Sequence, residues 1–396
     1  MEGYLLSIDF EKAFDSLEWD YLWLVLEAFG FLPVFIDKIK VMYKNIEACV
    51  LNDGTSTMYF TLSRCIKQGC PLSGLLFILA IELLLIRICH DNSIKGIVVR
   101  NTEIKASAYA DDVTNFLQNL HSIRCALKEL EIFGRVSGLR CNITKCEALA
   151  LGTSKIEPIE YNGNAIPWVE EITVTGIIFS KNTEQCREKN FAKCSKSLET
   201  QLNLWKQRDL SLIGKVQIIK TFGVSQLQYI MNMVTPPTDI LEKIKRILNA
   251  FLWGSKINKV KHTSCIAPYN EGGLKMPDVE TILHSQRISW VKRFFCNDNP
   301  TQWKIFFEWQ MEKLGGLTLF QNSSIAIEDI KNKGLLSFYE SIVVAWCKFL
   351  TKEINDDDPK ILTQSLFFNT HITITTGKLR KKLRNPFFTQ NSSVRA

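Results

Sequence analysis

Two adjacent aspartates interrupt a stretch of mostly small or apolar residues, Ile104-Lys105-Ala106-Ser107-Ala108-Tyr109-Ala110-Asp111-Asp112-Val113-Thr114-Asn115-Phe116-Leu117. The residues on either side of the acids predict two strands joined by a tight turn. A third acid, Asp9, lies in a hydrophobic run, Tyr4–Phe10, that predicts another buried strand. Neighbouring carboxylates repel one another, so a turn between buried strands favours both acids where a cation neutralises them.

These three carboxylates allow two interpretations. If their strands are neighbours in one sheet, the acids converge as required to hold two Mg²⁺ ions about 3.5–4 Å apart for in-line phosphoryl displacement. Mg²⁺ favours a few carboxylates together with substrate phosphates, which suits so small a ligand set. Alternatively, Asp111-Asp112 is an ordinary solvated turn and Asp9 is an acid beside a helix. The spacing alone does not separate the two.

Five blocks, in order along the chain, resemble the palm motifs of reverse transcriptases. A single block is weak evidence, whereas five in the same order are specific. The residues of these blocks resemble those of enzymes from non-LTR (LINE-type) retrotransposons. Two later segments, Phe251–Gly254 and Gly272–Asp278, resemble the region that follows the polymerase in that group. The five blocks are Leu6–Asp15, Gln68–Phe77, Tyr109–Asp112, Ser137–Leu139 with Asn142 and Lys145, and Gly176–Phe179.

The resemblance implies a site for two Mg²⁺ ions, with Mn²⁺ as an alternative ion. Asp9 and Asp111 correspond to the metal-binding carboxylates, and Asp112 to the second acid of the pair, with a smaller or less direct role. Phe10 would offer its backbone carbonyl to a metal ion. Lys145 resembles a lysine that protonates the departing pyrophosphate, although a solvated surface lysine is an alternative explanation.

The resemblance also implies three residues of the nucleotide site. Phe14 occupies the position of a bulky gate against the ribose 2′-hydroxyl, so the expected substrate is a deoxynucleoside triphosphate; a plain core phenylalanine is the alternative. Gln68 and Gly69 precede a helix predicted to begin at Pro71. The family uses this block to shape the templating base pair and the incoming nucleotide. A loop before a helix explains Gly69 and Pro71 but not Gln68.

The expected fold is α+β. By the same resemblance, residues 1–182 form a polymerase palm, which is an antiparallel sheet with packed helices. An all-helical thumb over residues 183–262 and a mostly helical C-terminal region over residues 263–396 follow. The thumb expectation also depends on long amphipathic segments, which are Phe191–Trp205, Ile213–Met231 and Ile240–Trp253.

Charge is segregated along the 396-residue chain, whose formal net charge is +7. Residues 1–150 contain 15 basic and 18 acidic residues, whereas residues 201–300 contain 14 basic and 7 acidic residues. Such asymmetry suggests an anionic polymer as partner. The resemblance narrows this to an RNA template paired with a DNA primer, bound through phosphate charge and A-form shape. A solvated helix face is the alternative for the basic residues concerned, which are Lys243, Lys245, Arg246, Lys256, Lys259 and Lys261.

The chain departs from the family pattern at its start. Asp9 is only the ninth residue, whereas the family has a fingers subdomain, and often an endonuclease, ahead of this block. We therefore expect an N-terminally truncated RNA-directed DNA polymerase with weak or no activity by itself, because phosphoryl transfer depends on positioning. The alternatives are a catalytically dead nucleic-acid-binding remnant and a group II intron maturase-like polymerase. The sequence leaves the oligomeric state open.

No segment predicts secretion or membrane insertion. The 12 cysteines include no Cys-x-x-Cys pair, and Met1 is followed by Glu2 rather than by a basic start. The most apolar run, Leu75–Ile86, is interrupted by Glu82 and is shorter than the roughly 20 residues a membrane span needs, so it is expected to be a core helix. We expect an intracellular protein, nuclear or cytoplasmic, with free thiols and no membrane partner.

Overall fold

The chain forms two compact units. The computed structural model describes residues 2–255, 259–296, 301–320, 327–353, 373–376 and 379–382. The first unit is Met1–Thr183, and the second is formed by the described residues from Glu184 onward. The first mixes strands and helices and the second is largely helical, so the predicted α+β class is confirmed. The finer division at residues 182 and 262 stays a prediction.

Within its described residues, the first unit combines five helices with antiparallel strand pairs. Its helices are α1 (Ala13–Ser16), α2 (Trp19–Ala28), α3 (Pro33–Met42), α4 (Ser73–His90) and α5 (Leu120–Ser137). Its strands are β1 (Gly3–Ile8), β2 (Glu47–Ala48), β3 (Leu51–Asn52), β4 (Thr55–Ser56), β5 (Phe60–Thr61), β6 (Ile97–Val99), β7 (Thr102–Ile104), β8 (Ala106–Tyr109), β9 (Asp112–Leu117), β10 (Glu147–Leu151), β11 (Ile159–Tyr161), β12 (Asn164–Ile166), β13 (Glu171–Val174) and β14 (Ile177–Ser180).

A four-stranded antiparallel sheet in the order β10-β1-β9-β8 organises this unit. Because alternate side chains of a strand point to opposite faces, β1 buries Tyr4, Leu6 and Ile8 on one face. These side chains belong to a core that also includes the buried faces of α2, α4 and α5. Asp9 follows Ile8, so by the same alternation it belongs to the opposite face of the sheet.

Helix α4 is the apolar helix expected from the sequence. Among the described residues it is the one helix that is long and apolar enough, by length and composition, to cross a membrane. Its apolar face includes Leu76, Phe77, Ala80 and Leu84, which are buried in the core of the first unit. The helix contacts α2, α5 and β8, which is the packing of a core helix.

Gly138 ends α5 in the left-handed region, with φ of 80°. A Cβ atom at this position would lie 2.5 Å from the carbonyl oxygen of Ser16 and 2.8 Å from Cγ of Glu18. The backbone N–H of Glu18 also donates a hydrogen bond to the Ser137 carbonyl, at 2.9 Å. Glycine is therefore required here both for its φ and for the close approach of two segments.

We expect Gly138→Ala to lower the free energy of unfolding by about 2–5 kcal/mol, the sum of left-handed strain and overpacking. Gly30→Ala is the matched control, because Gly30 has φ of 79° and nothing within 4 Å of the added Cβ. Gly30→Ala should lower the free energy of unfolding only by the left-handed strain, about 1–2 kcal/mol. Urea unfolding followed by circular dichroism measures both, and equal losses would contradict the packing argument.

Asn115 is a buried polar residue without a partner. It lies on β9 opposite Leu6 of β1 and Ala106 of β8, with no exposed surface. Neither its side-chain nitrogen nor its side-chain oxygen has a hydrogen-bond partner among the described residues. A buried amide in this position costs free energy relative to an apolar side chain.

Replacing Asn115 with valine is expected to raise the free energy of unfolding by about 1–3 kcal/mol, since the unpaired amide is removed and a strand-favouring side chain takes its place. Ser107→Val is the control, because Ser107 lies on β8 of the same sheet but is exposed. It reports what strand propensity alone contributes. A larger gain from Ser107→Val than from Asn115→Val in thermal unfolding would contradict the prediction.

The second unit is built from helices. They are α6 (Thr183–Lys206), α7 (Leu212–Ile218), α8 (Ser225–Met233), α9 (Thr238–Trp253), α10 (His262–Ile266), α11 (Val279–Cys296), α12 (Gln302–Glu312), α13 (Ile327–Lys331) and α14 (Ser337–Glu353). A π-helical segment, Ile219–Val224, joins α7 to α8, and 3-10 turns lie at Tyr269–Glu271 and Leu317–Phe320. The strands β15 (Thr373–Thr376) and β16 (Leu379–Lys382) form a hairpin.

A fully buried arginine joins three helices of the second unit. Arg287 of α11 donates hydrogen bonds to the backbone carbonyls of Asn232 (3.1 Å) and Val234 (3.0 Å) and to the Ser341 hydroxyl (2.7 Å). Its guanidinium also lies 4.7 Å from the ring centroid of Phe338. Burial lowers the pKa of Arg287 to about 10, so the group stays charged at neutral pH. These bonds tie the end of α8 to α11 and α14 across the predicted boundary at residue 262.

Candidate active site

The strand register brings the predicted acids to one edge of the sheet. Strands β1 and β9 pair with Ile8 opposite Val113, so the next residues, Asp9 and Asp112, lie side by side. Asp112 also pairs with Tyr109 at the end of the β8–β9 hairpin, and Asp111 lies in the turn between them. Asp9 and the Asp111-Asp112 pair, separated by about 100 residues in the sequence, thus lie at the same edge of the sheet, which meets the condition for the first of the two interpretations.

The fourth sequence block holds the backbone around Asp9. The Asn142 N–H donates to the Asp9 carbonyl at 2.8 Å, and the Cys146 thiol donates to the same oxygen at 3.9 Å. Phe10 forms an isolated antiparallel bridge with Cys141. Since backbone groups of successive strand residues point to alternate sides, the Phe10 carbonyl is directed away from this segment, towards the side on which β9 lies.

Negative charge accumulates at this edge. Burial, followed by the charges of Asp111 and Asp9, raises the pKa of Asp112. The Lys145 ammonium lies 3.6 Å from Asp9 Oδ2, and the two side chains are 67% and 32% exposed. Within the described part of the chain, no three or more His, Cys, Asp or Glu side chains are grouped closely enough to hold a metal ion. The acids therefore share an edge without forming a closed cage.

The second block packs against α1, shortly after Asp9 in the chain. The rings of Phe14 and Phe77 stack with centroids 4.5 Å apart, and Phe77 is fully buried on α4. The Gln68 side-chain amide donates to Asp15 Oδ1 at 3.4 Å. Gly69 has φ of 80° with open space around it, so its glycine is explained by backbone conformation. The helix begins at Ser73, two residues after the predicted start.

Sequence reasoning did not identify the residues that position this site. Phe77 supports Phe14, Asp15 contacts Gln68, and Cys146 contacts the Asp9 backbone. No local pattern assigns these roles to Cys146 and Phe77, because their partners are distant in the sequence. Asp15 is the last residue of the first block, so the block contained it without indicating its contact with Gln68.

The predicted basic surface of the second unit needs one correction. Lys245 does not extend freely to solvent, because its ammonium lies 2.9 Å from Glu242 Oε1 and 2.8 Å from Glu280 Oε1 and only 20% of its side chain is exposed. Two acids thus neutralise a lysine that was expected to meet phosphates. Lys256 lies outside the described residues, and the exposed members of the set are Lys243, Arg246, Lys259 and Lys261.

Comparison with known proteins gives the following similarities. Residues 1–179 match the family described as reverse transcriptase (RNA-dependent DNA polymerase). The uncharacterized 149 kDa protein of transposon TX1 from Xenopus laevis is 31% identical over 304 residues, which are 75% of this chain and 23% of that protein. The retrovirus-related Pol polyprotein from the type-2 retrotransposable element R2DM of Drosophila melanogaster is 24% identical over 312 residues, which are 73% of this chain and 28% of that protein. Telomerase from Candida tropicalis is 12% identical with a TM-score of 0.35, over 77% of this chain and 48% of that chain.

The family match covers the same residues as the five motif blocks. The chain spans about a quarter of the length of the two transposon relatives, whose coverage is 23% and 28%. Both relatives come from non-LTR retrotransposons, the kind of mobile element that the sequences of the blocks indicated, so the resemblance is confirmed. Residues 1–179 of this chain therefore belong to the reverse transcriptase family, and the similar transposon proteins indicate a reverse transcriptase of the non-LTR retrotransposon type.

Proposed function

We propose that this chain carries out RNA-directed DNA synthesis, by nucleotidyl transfer at Asp9, Asp111 and Asp112 with two Mg²⁺ ions. The observation that carries the proposal is the register of β1 on β9, which sets Asp9 beside Asp112 at the end of the β8–β9 hairpin. In a reverse transcriptase domain, acids at such an edge are the groups able to bind metal ions at the reacting phosphate.

The residues at this edge fit divalent metal ions, either Mg²⁺ or Mn²⁺. Carboxylates and the Phe10 carbonyl are hard oxygen ligands, the kind that Mg²⁺ prefers. Burial raises the pKa of Asp112, and the nearby charges of Asp111 and Asp9 raise it further; a cation would offset these charges. Bound ions would supply positive charge against the negative charge that develops on the phosphate. Because the acids form no closed cage, we expect substrate phosphates to complete the coordination.

The nucleotide side of the site supports a deoxynucleotide substrate. Phe14 is held by the Phe77 ring at 4.5 Å and by a hydrogen bond of its carbonyl with the Ile66 N–H at 2.6 Å. A ring fixed in this way excludes an added oxygen by sterics. Gln68, with its amide 3.4 Å from Asp15, and Gly69, with no Cβ, would contact the incoming nucleotide and its template base.

Lys145 would protonate the departing pyrophosphate. Its ammonium, 3.6 Å from Asp9 Oδ2, lies beside an expected metal ligand and is 67% exposed, so it can reach a leaving group at the site. A proton donor next to the metal-binding acid lowers the negative charge on the leaving oxygen as the bond breaks.

The second unit would hold the template–primer duplex. Lys243, Arg246, Lys259 and Lys261 are exposed cations that can contact phosphates. Such contacts carry no base specificity, which suits an enzyme that must accept any template sequence.

Primer extension tests the proposed function directly. The purified chain is incubated with an RNA template, a labelled DNA primer, the four deoxynucleoside triphosphates and Mg²⁺. We expect weak templated addition to the primer, which is lost on chelation of the metal and restored by Mg²⁺ or Mn²⁺. A chain that binds the template–primer but adds no nucleotide with either metal is the non-catalytic remnant instead.

A further inference from the structure

A stack of aromatic and cationic groups lies at the C-terminal end of α6. The ring centroids of Trp205 and Phe222 are 5.3 Å apart with planes inclined by 26°. The Arg208 guanidinium lies 5.8 Å from the Trp205 ring centroid. Phe222 is 37% exposed and Trp205 is half-buried, whereas the stacked pair Phe294–Phe307 lies inside the core. The pair at α6 therefore offers ring surface to solvent.

The backbone that presents Phe222 is irregular. Phe222 lies in the π-helical segment Ile219–Val224, and π-helical turns are rare and frequently occur at functional sites. Gly223 in the same segment packs on α6, since an added Cβ there would lie 3.3 Å from Leu198 Cδ1. This close contact sets the ring of Phe222 beside Trp205.

A basic groove runs along another side of α6. Helices α6 and α9 enclose a cavity of about 350 Å³ between them. Its lining contains three cations, Lys206, Lys243 and Arg246, and one acid, Glu199. The side-chain amides of Asn203 and Asn249 add hydrogen-bond donors. The excess of cations and donors is complementary to a phosphate backbone.

We infer that the end of α6 binds single-stranded nucleic acid, with a base stacked on the Trp205–Phe222 pair and neighbouring phosphates in the α6–α9 groove. Trp205 and Lys206 are consecutive, and consecutive side chains of a helix point about 100° apart, so a strand crossing this turn reaches both surfaces. A free base can cover an exposed ring, whereas bases inside a duplex are already stacked. The inference rests on the proposed function, in which an RNA template passes through this protein.

The test compares two ligands of the full chain by fluorescence anisotropy, a labelled RNA of about 12 adenines and an RNA–DNA duplex of the same length. Phe222→Leu keeps apolar volume but removes the stacking face. We expect it to weaken binding of the single strand at least about fivefold and to change duplex binding less than twofold. Phe222→Tyr should bind like the wild type. Tyr269→Leu, which removes a ring that is 53% exposed elsewhere in the second unit, is the matched control.

A second variant tests the groove. Lys243→Gln combined with Arg246→Gln should weaken binding of the single strand and reduce the slope of its affinity against log salt by about 1.4, since each lost phosphate contact contributes about 0.7. Lys292→Gln combined with Arg293→Gln removes two exposed cations of α11 and should leave the slope unchanged.

Three results would overturn the inference. The first is that the wild-type chain does not bind the adenine strand. The second is that Phe222→Leu binds this strand with wild-type affinity, and the third is that Phe222→Leu loses as much affinity for the duplex as for the strand. The proposed function fails separately. A chain that binds the strand through Phe222 but adds no nucleotide refutes only the polymerase, and a chain that extends primers with an indifferent Phe222 refutes only this site.

Discussion

Asp111→Asn is expected to reduce RNA-templated primer extension about 10²–10³-fold or more, whatever rate the wild-type chain supports. An amide keeps the shape of the carboxylate but loses the charge that would hold a metal ion. Asp112→Asn should cost less, because the family resemblance implies a smaller or less direct ligand role for Asp112. Single-nucleotide incorporation with saturating template–primer measures both variants.

Asp53→Asn is the matched control for this substitution. Asp53 also lies between two strands, in the turn from β3 to β4, but it is exposed and lies outside the five blocks. The Asp111→Asn chain should fold at least as stably as the wild type, because removing one of two adjacent like charges relieves repulsion. Wild-type extension by Asp111→Asn would refute the assignment of this edge as the active site.

Arg287→Ala is expected to lower the free energy of unfolding by about 3–5 kcal/mol. The substitution removes the donors for the Asn232 and Val234 carbonyls and for the Ser341 hydroxyl, and leaves a void in a fully buried position. Arg287→Lys should recover only part of the loss, because one ammonium cannot reproduce the planar fork of the guanidinium. Urea unfolding followed by circular dichroism measures the change.

Lys292→Ala provides the control, since Lys292 is an exposed cation on the same helix, α11. Its removal should change the free energy of unfolding by less than about 0.5 kcal/mol. If Arg287→Ala were as mild as Lys292→Ala, the hydrogen bonds to α8 and α14 would contribute little and the second unit would be held together by its apolar core.

Local patterns predicted the elements around the site with small errors. The run Tyr4–Phe10 became β1 (Gly3–Ile8), and the helix expected from Pro71 begins at Ser73. The predicted helix Ile213–Met231 is helical throughout, but the π-helical segment interrupts it. A hydrophobic period near 3.6 cannot reveal this wider helical turn, and Gly223 inside it packs against Leu198, which belongs to another helix.

Electrostatic roles were harder to predict than elements. Lys243 and Lys245 look alike in the sequence, yet it is Lys245 that forms ion pairs with Glu242 and Glu280. The second of these acids is 35 residues away and belongs to α11. Aromatic positions show the same limit, since Phe251 near the basic run is buried while Phe222 is exposed and stacked on Trp205.

The sequence by itself determined the family, because the order of the five blocks is a local property of the chain, and the same blocks contain Asp9, Asp111 and Asp112, the acids of the proposed site. Only the tertiary structure decided which groups meet. The register of β1 on β9 joins the acids, the close approach at Gly138 makes a glycine necessary, and the packing of three helices buries Arg287. Each of these three contacts joins residues that are far apart in the sequence. No local sequence pattern encodes which distant residues come together, so only the tertiary structure could show these contacts.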